Sequence, residues 1–129
     1  MRKVFIKLLA IGLIGCIPTN IFANDTLTCQ EAKAFFDNNK NDTIQIIDVR
    51  SPEEFAENHL FSAVNINYFD KNFDQLLGKL NKKSRYIIYC KKGGRSALTL
   101  AKMHSMGFQN VKHIKGGIEE WKRLGYKLE

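Results

Sequence analysis

Hydrophobic and polar residues alternate in blocks along the chain, and the blocks switch between a strand pattern and a helical pattern. Short runs rich in β-branched and aromatic residues occupy 43–49, 63–66, Arg85–Tyr89 and 110–114, and such runs predict buried strands. Between them lie segments whose apolar residues recur every three or four positions, which is the spacing of an amphipathic helix. This alternation predicts an α/β fold with a mainly parallel central sheet and helices on both faces.

Particular side chains mark where the helices begin and end. Thr28 and Glu31 have the spacing of a capping box, and Ser51, Pro52 and Glu54 make a second helix start. Further helices are predicted over 69–80, 96–106 and 118–126, and Gly107 stands where a left-handed residue commonly ends a helix. The buried faces predicted for two of these helices comprise Phe73, Leu76, Leu77 and Leu80 in one, and Ala97, Leu100, Ala101 and Met103 in the other.

The N-terminal segment has the pattern of an export signal. A basic start is followed by the apolar stretch 8–17, which is too short to span a bilayer and is broken by Pro18. Ala23 is a small residue suited to the position before a cleavage site. We therefore expect a signal peptide over 1–23 and a single domain over 24–129. This predicts a periplasmic or secreted protein whose mature form has no membrane span.

The cysteines bear on both the processing and the redox chemistry of the chain. The segment LIGC at 13–16 resembles a bacterial lipoprotein box, and in that alternative Cys16 would carry a lipid anchor. Cleavage after Ala23 leaves Cys29 and Cys90, which do not form the C-x-x-C pair of a thioredoxin-type site. We expect no disulfide between them, because a helix start and a loop beyond a strand are predicted to lie too far apart.

The charge balance indicates an anionic small molecule as the partner. The formal net charge is +7, but three of the positive residues lie within the first seven positions of the export segment. The remaining excess is modest and does not form the basic stripe of a nucleic-acid-binding surface, so no nucleic acid is expected.

The stretch YCKKGGRS at 89–96 places the thiol of Cys90 at the end of a predicted strand. Parallel sheets form their sites beyond the carboxyl ends of their strands. Gly93 and Gly94 can adopt positive φ and turn N–H groups inward, and a helix that begins near Ser96 directs its N-terminus to the same place. The full positive charges of this loop come from Lys91, Lys92 and Arg95. All of these features favour a thiolate, so Cys90 is predicted to be a nucleophile.

With this loop and the segment IIDVRSPEEFAENHLFSAVNI at 46–66, the chain resembles the rhodanese family of sulfurtransferases, specifically a stand-alone single-domain member. The resemblance covers about 26–128 and includes the closing GGIEEW segment. It implies that Cys90 is the catalytic cysteine. It also implies a substrate cradle made of Lys91, Lys92, Gly93, Gly94, Arg95 and Ser96. Asn58 and Ser62 stand where the family often has glycine, and we expect a local adjustment there because Asn tolerates left-handed geometry.

The resemblance implies that a Cys90 persulfide carries sulfur from a thiosulfate-like anionic donor to cyanide, a thiol or a protein acceptor. No metal or organic cofactor is expected. One alternative is a non-enzymatic persulfide carrier or protein-interaction module, and another is a phosphatase or arsenate reductase with a similar Cys…Arg loop. Four residues separate Cys90 from Arg95, one fewer than in the phosphatases, which favours sulfur chemistry.

Other polar residues are interpreted mainly as structural. Asp48 and Arg50 are expected to hold the strand-to-helix corner together, with a supporting electrostatic role for Arg50 as a second interpretation. His59 is expected to form structural hydrogen bonds. His104 and His113 have no cysteine or carboxylate at ligand spacing, so no metal site is predicted.

Overall fold

The computed structural model describes residues 23–129, which form an all-parallel five-stranded sheet with helices on both faces. The strands are β1 (Thr26–Leu27), β2 (Ile44–Asp48), β3 (Val64–Asn65), β4 (Arg85–Tyr89) and β5 (Val111–Ile114). Their order across the sheet is β1-β5-β4-β2-β3. The expected α/β architecture is confirmed. Apart from Ala23, the predicted export segment lies outside the described residues, and within them no helix is long and apolar enough to cross a bilayer.

In the described part of the chain, five α-helices cover the sheet, and their starts follow local signals in the sequence. They are α1 (Cys29–Asn38), α2 (Pro52–Glu57), α3 (Phe73–Gly78), α4 (Gly94–Ser105) and α5 (Gly117–Arg123). Thr28 caps α1, and Ser51 and Glu54 form the complete capping box of α2, as predicted. The helix predicted over 69–80 is shorter, because the side chain of Asp70 accepts the Asn72 N–H and holds a turn before α3.

The two faces of the sheet carry separate hydrophobic clusters. Tyr86 and Ile88 of β4 pack on the side of α3 and α4, whereas Ile87 and Tyr89 pack on the side of α1 and α5. Trp121 of α5 lies in the second cluster. Because β4 is the middle strand and is buried on both faces, the residue that follows it lies at the centre of the carboxyl edge.

The buried face of α4 differs from the predicted one. Leu100 and Met103 are buried as expected, but Ala97 and Ala101 are exposed, and Ser96 and Thr99 take their places in the interior. Polar side chains can be buried there because they form hydrogen bonds: Thr99 Oγ1 donates to the Arg95 carbonyl at 2.8 Å. Of the face predicted for the helix over 69–80, Phe73 and Leu77 are buried, while Leu76 and Leu80 are only half-buried, and Leu80 lies beyond the end of α3.

Unusual backbone geometry occurs at some of the positions for which the sequence predicts it. Gly107 has a φ of +90°, which confirms the predicted left-handed end of α4. Ser62 takes a positive φ of 55° although it is not glycine. The adjustment expected of Asn58 does not involve left-handed geometry, because its φ is −170° and its backbone is extended.

Candidate active site

Cys90 directly follows β4 and is only 1% exposed. Its carbonyl accepts the Ile118 N–H at 2.9 Å, and the Lys91 carbonyl accepts the Glu119 N–H at 3.1 Å, so the loop is bound to the start of α5. Gly117, at a φ of +60°, lies against both carbonyls, and a methyl group on its Cα would overlap them. The chain can therefore pass this closely behind the cysteine only with glycine at that position.

Backbone N–H groups surround the sulfur of Cys90. The N–H of Gly93 donates to Sγ at 3.1 Å and that of Ser96 at 3.4 Å. Gly93 has the predicted positive φ, here +109°, but Gly94 does not and is instead the first residue of α4. The helix thus begins two residues earlier than predicted, and its N-terminus is directed at the sulfur. These donors favour a negative charge on Sγ.

Arg95 forms a bidentate ion pair with Glu54 rather than a hydrogen bond to the Cys90 sulfur. The Nη1–Oε1 distance is 3.0 Å and the Nη2–Oε2 distance is 3.4 Å. The hydrogen bonds from Arg95 lower the pKa of Glu54, and in return Glu54 raises the pKa of Arg95. The guanidinium also lies 5.9 Å from the ring centre of Phe69. Sequence reasoning assigned Glu54 only to the capping box and missed both contacts, which join residues far apart in the chain.

Lys91 and Lys92 lie at the mouth of the loop. Their side chains are 54% and 74% exposed, and their Nζ atoms are 3.6 Å and 3.9 Å from the carboxylate oxygens of Glu119. The loop's positive charge is thus partly neutralised by a residue of α5. The structure brings Cys90, Gly93 and Ser96 together, and it places the lysines and Arg95 around them.

Asp48 and Arg50 form a buried ion pair at the end of β2. Arg50 Nε lies 3.0 Å from both carboxylate oxygens of Asp48, and Arg50 Nη2 also donates to the Asn58 carbonyl at 2.6 Å. The Tyr89 hydroxyl donates to Asp48 Oδ2 at 2.6 Å, and burial with the nearby Asp48 charge raises the pKa of Tyr89. These contacts agree with the expectation that the two residues hold the corner together.

Two histidines occupy different settings. His59 Nδ1 lies 3.0 Å from the Phe55 carbonyl and its ring stacks on Phe55, so its contacts are structural, as expected. His113 of β5 is only 6% exposed, and its Nδ1 lies 3.0 Å from Ser96 Oγ. Burial lowers the pKa of His113. Sequence reasoning considered His113 only as a metal ligand, and within residues 23–129 no cluster of three metal-ligating side chains occurs.

Cys29, the first residue of α1, is the second buried thiol. Its Sγ lies 3.5 Å from the Gly117 carbonyl oxygen and 3.7 Å from that of Lys115. Burial, together with the charge of Glu120, raises the pKa of the Cys29 thiol to about 11. Cys29 and Cys90 are both free thiols.

Known proteins resemble this chain in both sequence and structure. The family model described as Rhodanese-like domain matches residues 28–124. "Thiosulfate sulfurtransferase 16, chloroplastic" of Arabidopsis thaliana is 30% identical over 61% of this chain and 74% of its own length. The "Probable adenylyltransferase/sulfurtransferase MoeZ" of Mycobacterium tuberculosis is 34% identical over 85% of this chain, which spans only 28% of that protein. The crystal structure of a rhodanese-like domain protein from Staphylococcus aureus has a TM-score of 0.67 and 29% identity, covering 81% of this chain and 96% of that one.

Proposed function

The chain belongs to the rhodanese-like domain family, and on that premise we propose that it is a thiosulfate-type sulfurtransferase that works through a Cys90 persulfide. Some of its relatives are named sulfurtransferases, which supports the general class. The observation that carries the proposal is the pair of N–H groups, from Gly93 and Ser96, that donate to Cys90 Sγ. A thiolate needs such donors, and so does the persulfide that it forms.

The proposed reaction is a double displacement at sulfur. The Cys90 thiolate attacks the outer sulfur of thiosulfate, a new S–S bond forms, and the S–S bond of the donor breaks with its electron pair leaving on sulfite. The persulfide then carries the negative charge on its outer sulfur. Cyanide or a thiolate attacks that sulfur, the S–S bond to Cys90 breaks, and the thiolate is regenerated. No electron is gained or lost over the cycle.

The surroundings of Cys90 favour sulfur over a phosphoryl group. The loop of Cys90 is bound closely to α5, and the N–H groups of Gly93 and Ser96 meet at Sγ, where they can hold the outer sulfur of a persulfide. Arg95, which a phosphatase of this type would direct at phosphate, is instead paired with Glu54. Lys91 and Lys92 stay exposed at the loop's mouth, where they can attract an anionic donor.

Sulfur transfer can be tested directly with the purified protein. We expect steady-state transfer from thiosulfate to cyanide. We also expect an adduct of about 32 Da, one sulfur atom, on the Cys90 peptide after exposure to thiosulfate alone. The same preparation should hydrolyse an aryl phosphate negligibly. An adduct without turnover would identify a persulfide carrier instead, and Cys90-dependent phosphate hydrolysis without sulfur transfer would identify a phosphatase.

The location of the reaction is part of the proposal. Export with cleavage after Ala23 would place the sulfurtransferase in the periplasm or outside the cell, where a small thiol or a protein can be the sulfur acceptor. Intact-mass analysis of the expressed full chain should give a mature protein that begins at Asn24. A lipid-modified Cys16 in the membrane fraction would contradict soluble export.

A further inference from the structure

The hydroxyl group of Ser96 lies between two groups that can hold a proton. Its Oγ is 3.6 Å from Cys90 Sγ and 3.0 Å from His113 Nδ1. Ser96 is fully buried and His113 nearly so. We propose that His113 accepts the proton of the Cys90 thiol through the Ser96 hydroxyl. This inference rests on the proposed function, since it describes how the nucleophile of that reaction forms.

The transfer balances without any further reactant. In the proposed state before ionisation, the Cys90 S–H donates to Ser96 Oγ. The Ser96 hydroxyl donates to Nδ1 of a neutral His113 at 3.0 Å rather than to the Gly93 carbonyl oxygen at 3.2 Å, and His113 carries its own proton on Nε2. Ionisation breaks the S–H bond as a new O–H bond forms, and it breaks the original O–H bond as an Nδ1–H bond forms. The products are a thiolate, an unchanged serine and an imidazolium. His113 acts through Ser96 and is therefore a positioning residue.

The local electrostatics suit this transfer. Burial lowers the pKa of His113, so the resting ring is neutral and its Nδ1 can accept a hydrogen bond, while the same burial makes it costly to protonate. The thiolate formed nearby offsets part of the cost of charging a buried imidazole. The N–H groups of Gly93 and Ser96 already point at Sγ and stabilise the negative charge as it develops.

Ionisable side chains on the elements around β5 have their own partners. On α4, the ion pairs are Arg95 with Glu54, Lys102 with Asp74, and His104 with Asp25. On β4, Arg85 pairs with Asp42, the Tyr86 hydroxyl donates to the Asn81 carbonyl, and the Tyr89 hydroxyl donates to Asp48. Asp25, which precedes β1, also lies 3.6 Å from Lys112 of β5. The Ser96 hydroxyl links His113 to one ionisable group, the thiol of Cys90.

The pH dependence of Cys90 alkylation tests the inference without any sulfur donor. The intact protein is treated with iodoacetamide from pH 5 to 10, and the rate is followed on the Cys90 peptide by mass spectrometry. In His113→Asn, which keeps a hydrogen-bonding group but cannot take the proton, the rate at pH 6 should fall by about tenfold or more. At pH 10 hydroxide removes the proton, so the rates should converge. A His113→Asn profile that superimposes on the wild-type profile would overturn the inference.

Variants of Ser96 separate a proton relay from a merely structural contact. Ser96→Ala should show the same loss at low pH, and Ser96→Ala combined with His113→Asn should lose no more than either alone, because both break one chain. Ser96→Thr keeps the hydroxyl and should restore the wild-type profile. Additive losses in the double variant, or no recovery with threonine, would contradict the relay. If His113→Asn fails to fold, the alanine and threonine variants of Ser96 provide the same test.

A control histidine lies on the adjacent helix. His104→Asn changes a residue that pairs with Asp25, away from the sulfur, and should leave the alkylation profile unchanged. The outcomes also separate this inference from the proposed function. A shifted profile in His113→Asn, with no sulfur transfer by the wild-type protein, would remove the function but keep the relay. Normal sulfur transfer with an unshifted profile would remove the relay alone.

Discussion

Two buried cysteines lie on opposite faces of the same sheet, and different backbone groups face their sulfur atoms: carbonyl oxygens at one and N–H groups at the other. Cys29 and Cys90 are each 1% exposed. The sulfur of Cys29 faces the carbonyl oxygens of Lys115 and Gly117, whereas that of Cys90 receives backbone N–H groups. Carbonyl oxygens hold the proton on a thiol, and N–H groups stabilise its loss. We therefore expect equal burial to leave Cys29 inert and Cys90 nucleophilic, because the nearby backbone dipoles point in opposite directions at the two sulfurs.

Gly117 connects the two sites. Its carbonyl oxygen lies 3.5 Å from Cys29 Sγ, and its Cα packs against the carbonyls of Cys90 and Lys91. The carbonyl of Cys90 is in turn bound by the Ile118 N–H. One turn of backbone thus supplies the acceptor for the Cys29 thiol and fixes the loop that carries Cys90.

Serine substitutions at the two cysteines should have the most unequal effects. Cys90→Ser should abolish sulfur transfer, because the hydroxyl is nearly isosteric but not ionised at neutral pH. Cys29→Ser should retain it, since a hydroxyl can still donate to the Lys115 and Gly117 carbonyls. Thiosulfate-to-cyanide turnover, with circular dichroism to verify the fold, measures both. Turnover that survives in Cys90→Ser would end the proposed mechanism.

A methyl group at Gly117 should cost more stability than one at another left-handed glycine. Gly125 has a φ of +75° and open space around its Cα, whereas Gly117 has no room. Gly125→Ala should lose about 1 kcal/mol from backbone strain alone. Gly117→Ala should lose about 4 kcal/mol, because steric overlap with the Cys90 and Lys91 carbonyls adds to the strain. Urea denaturation compares the two, and equal losses would show that the close approach behind Cys90 is unimportant.

Alkylation should discriminate between the two thiols. The pKa of Cys29 is about 11, so only a small fraction of this thiol is ionised at pH 8. Cys90 should react with iodoacetamide at least about a hundredfold faster, provided that its N–H donors act as argued. Peptide mapping of the folded protein over time gives both rates. Similar rates would mean that burial, rather than backbone polarity, controls both cysteines.

Alkaline pH should destabilise the protein through Cys29. A thiol has an ordinary pKa near 8.5 in an unfolded chain, and the folded value is about 11. Because folding raises this pKa, its contribution to stability is full below the unfolded value and is lost as the pH rises towards 11. We expect the free energy of unfolding to fall by about 2 kcal/mol more in wild type than in Cys29→Ala between pH 8 and 10.5. Parallel pH profiles for the two proteins would contradict this assignment.

The exposed lysines should produce the smallest effect. Glu119 already lies near both Lys91 and Lys92, so replacing both with glutamate should raise the KM for thiosulfate only about fivefold, at about 0.5 kcal/mol for each residue. The change should shrink with added salt, because the charges are exposed. Kinetics at low and high ionic strength measure it. A loss as large as that of Cys90→Ser would mean that side-chain charge, and not the backbone, forms the site.

Several features could be predicted because their causes are local in the chain. The alternation of strand and helix patterns predicted the α/β class, and Thr28 and Ser51 marked two helix starts correctly. The stretch 89–96 contains the cysteine, the glycine turn and the helix start together, so the candidate nucleophile could be predicted without the fold. The strand β1 was not predicted, because two residues are too few to show an alternating hydrophobic pattern.

Only the tertiary structure decided how the surrounding side chains are used. Burial of Ser96 and Thr99 instead of Ala97 and Ala101 depends on hydrogen bonds that a hydrophobic pattern does not report. The ion pair of Arg95 with Glu54 joins residues 41 positions apart, and the Gly117 carbonyl meets Cys29 across 88 positions. Local patterns record backbone preference and amphipathicity, which belong to a single element. Contacts between elements follow from the strand order β1-β5-β4-β2-β3, and that order brings His113 beside Ser96 and sets the two cysteines on opposite faces.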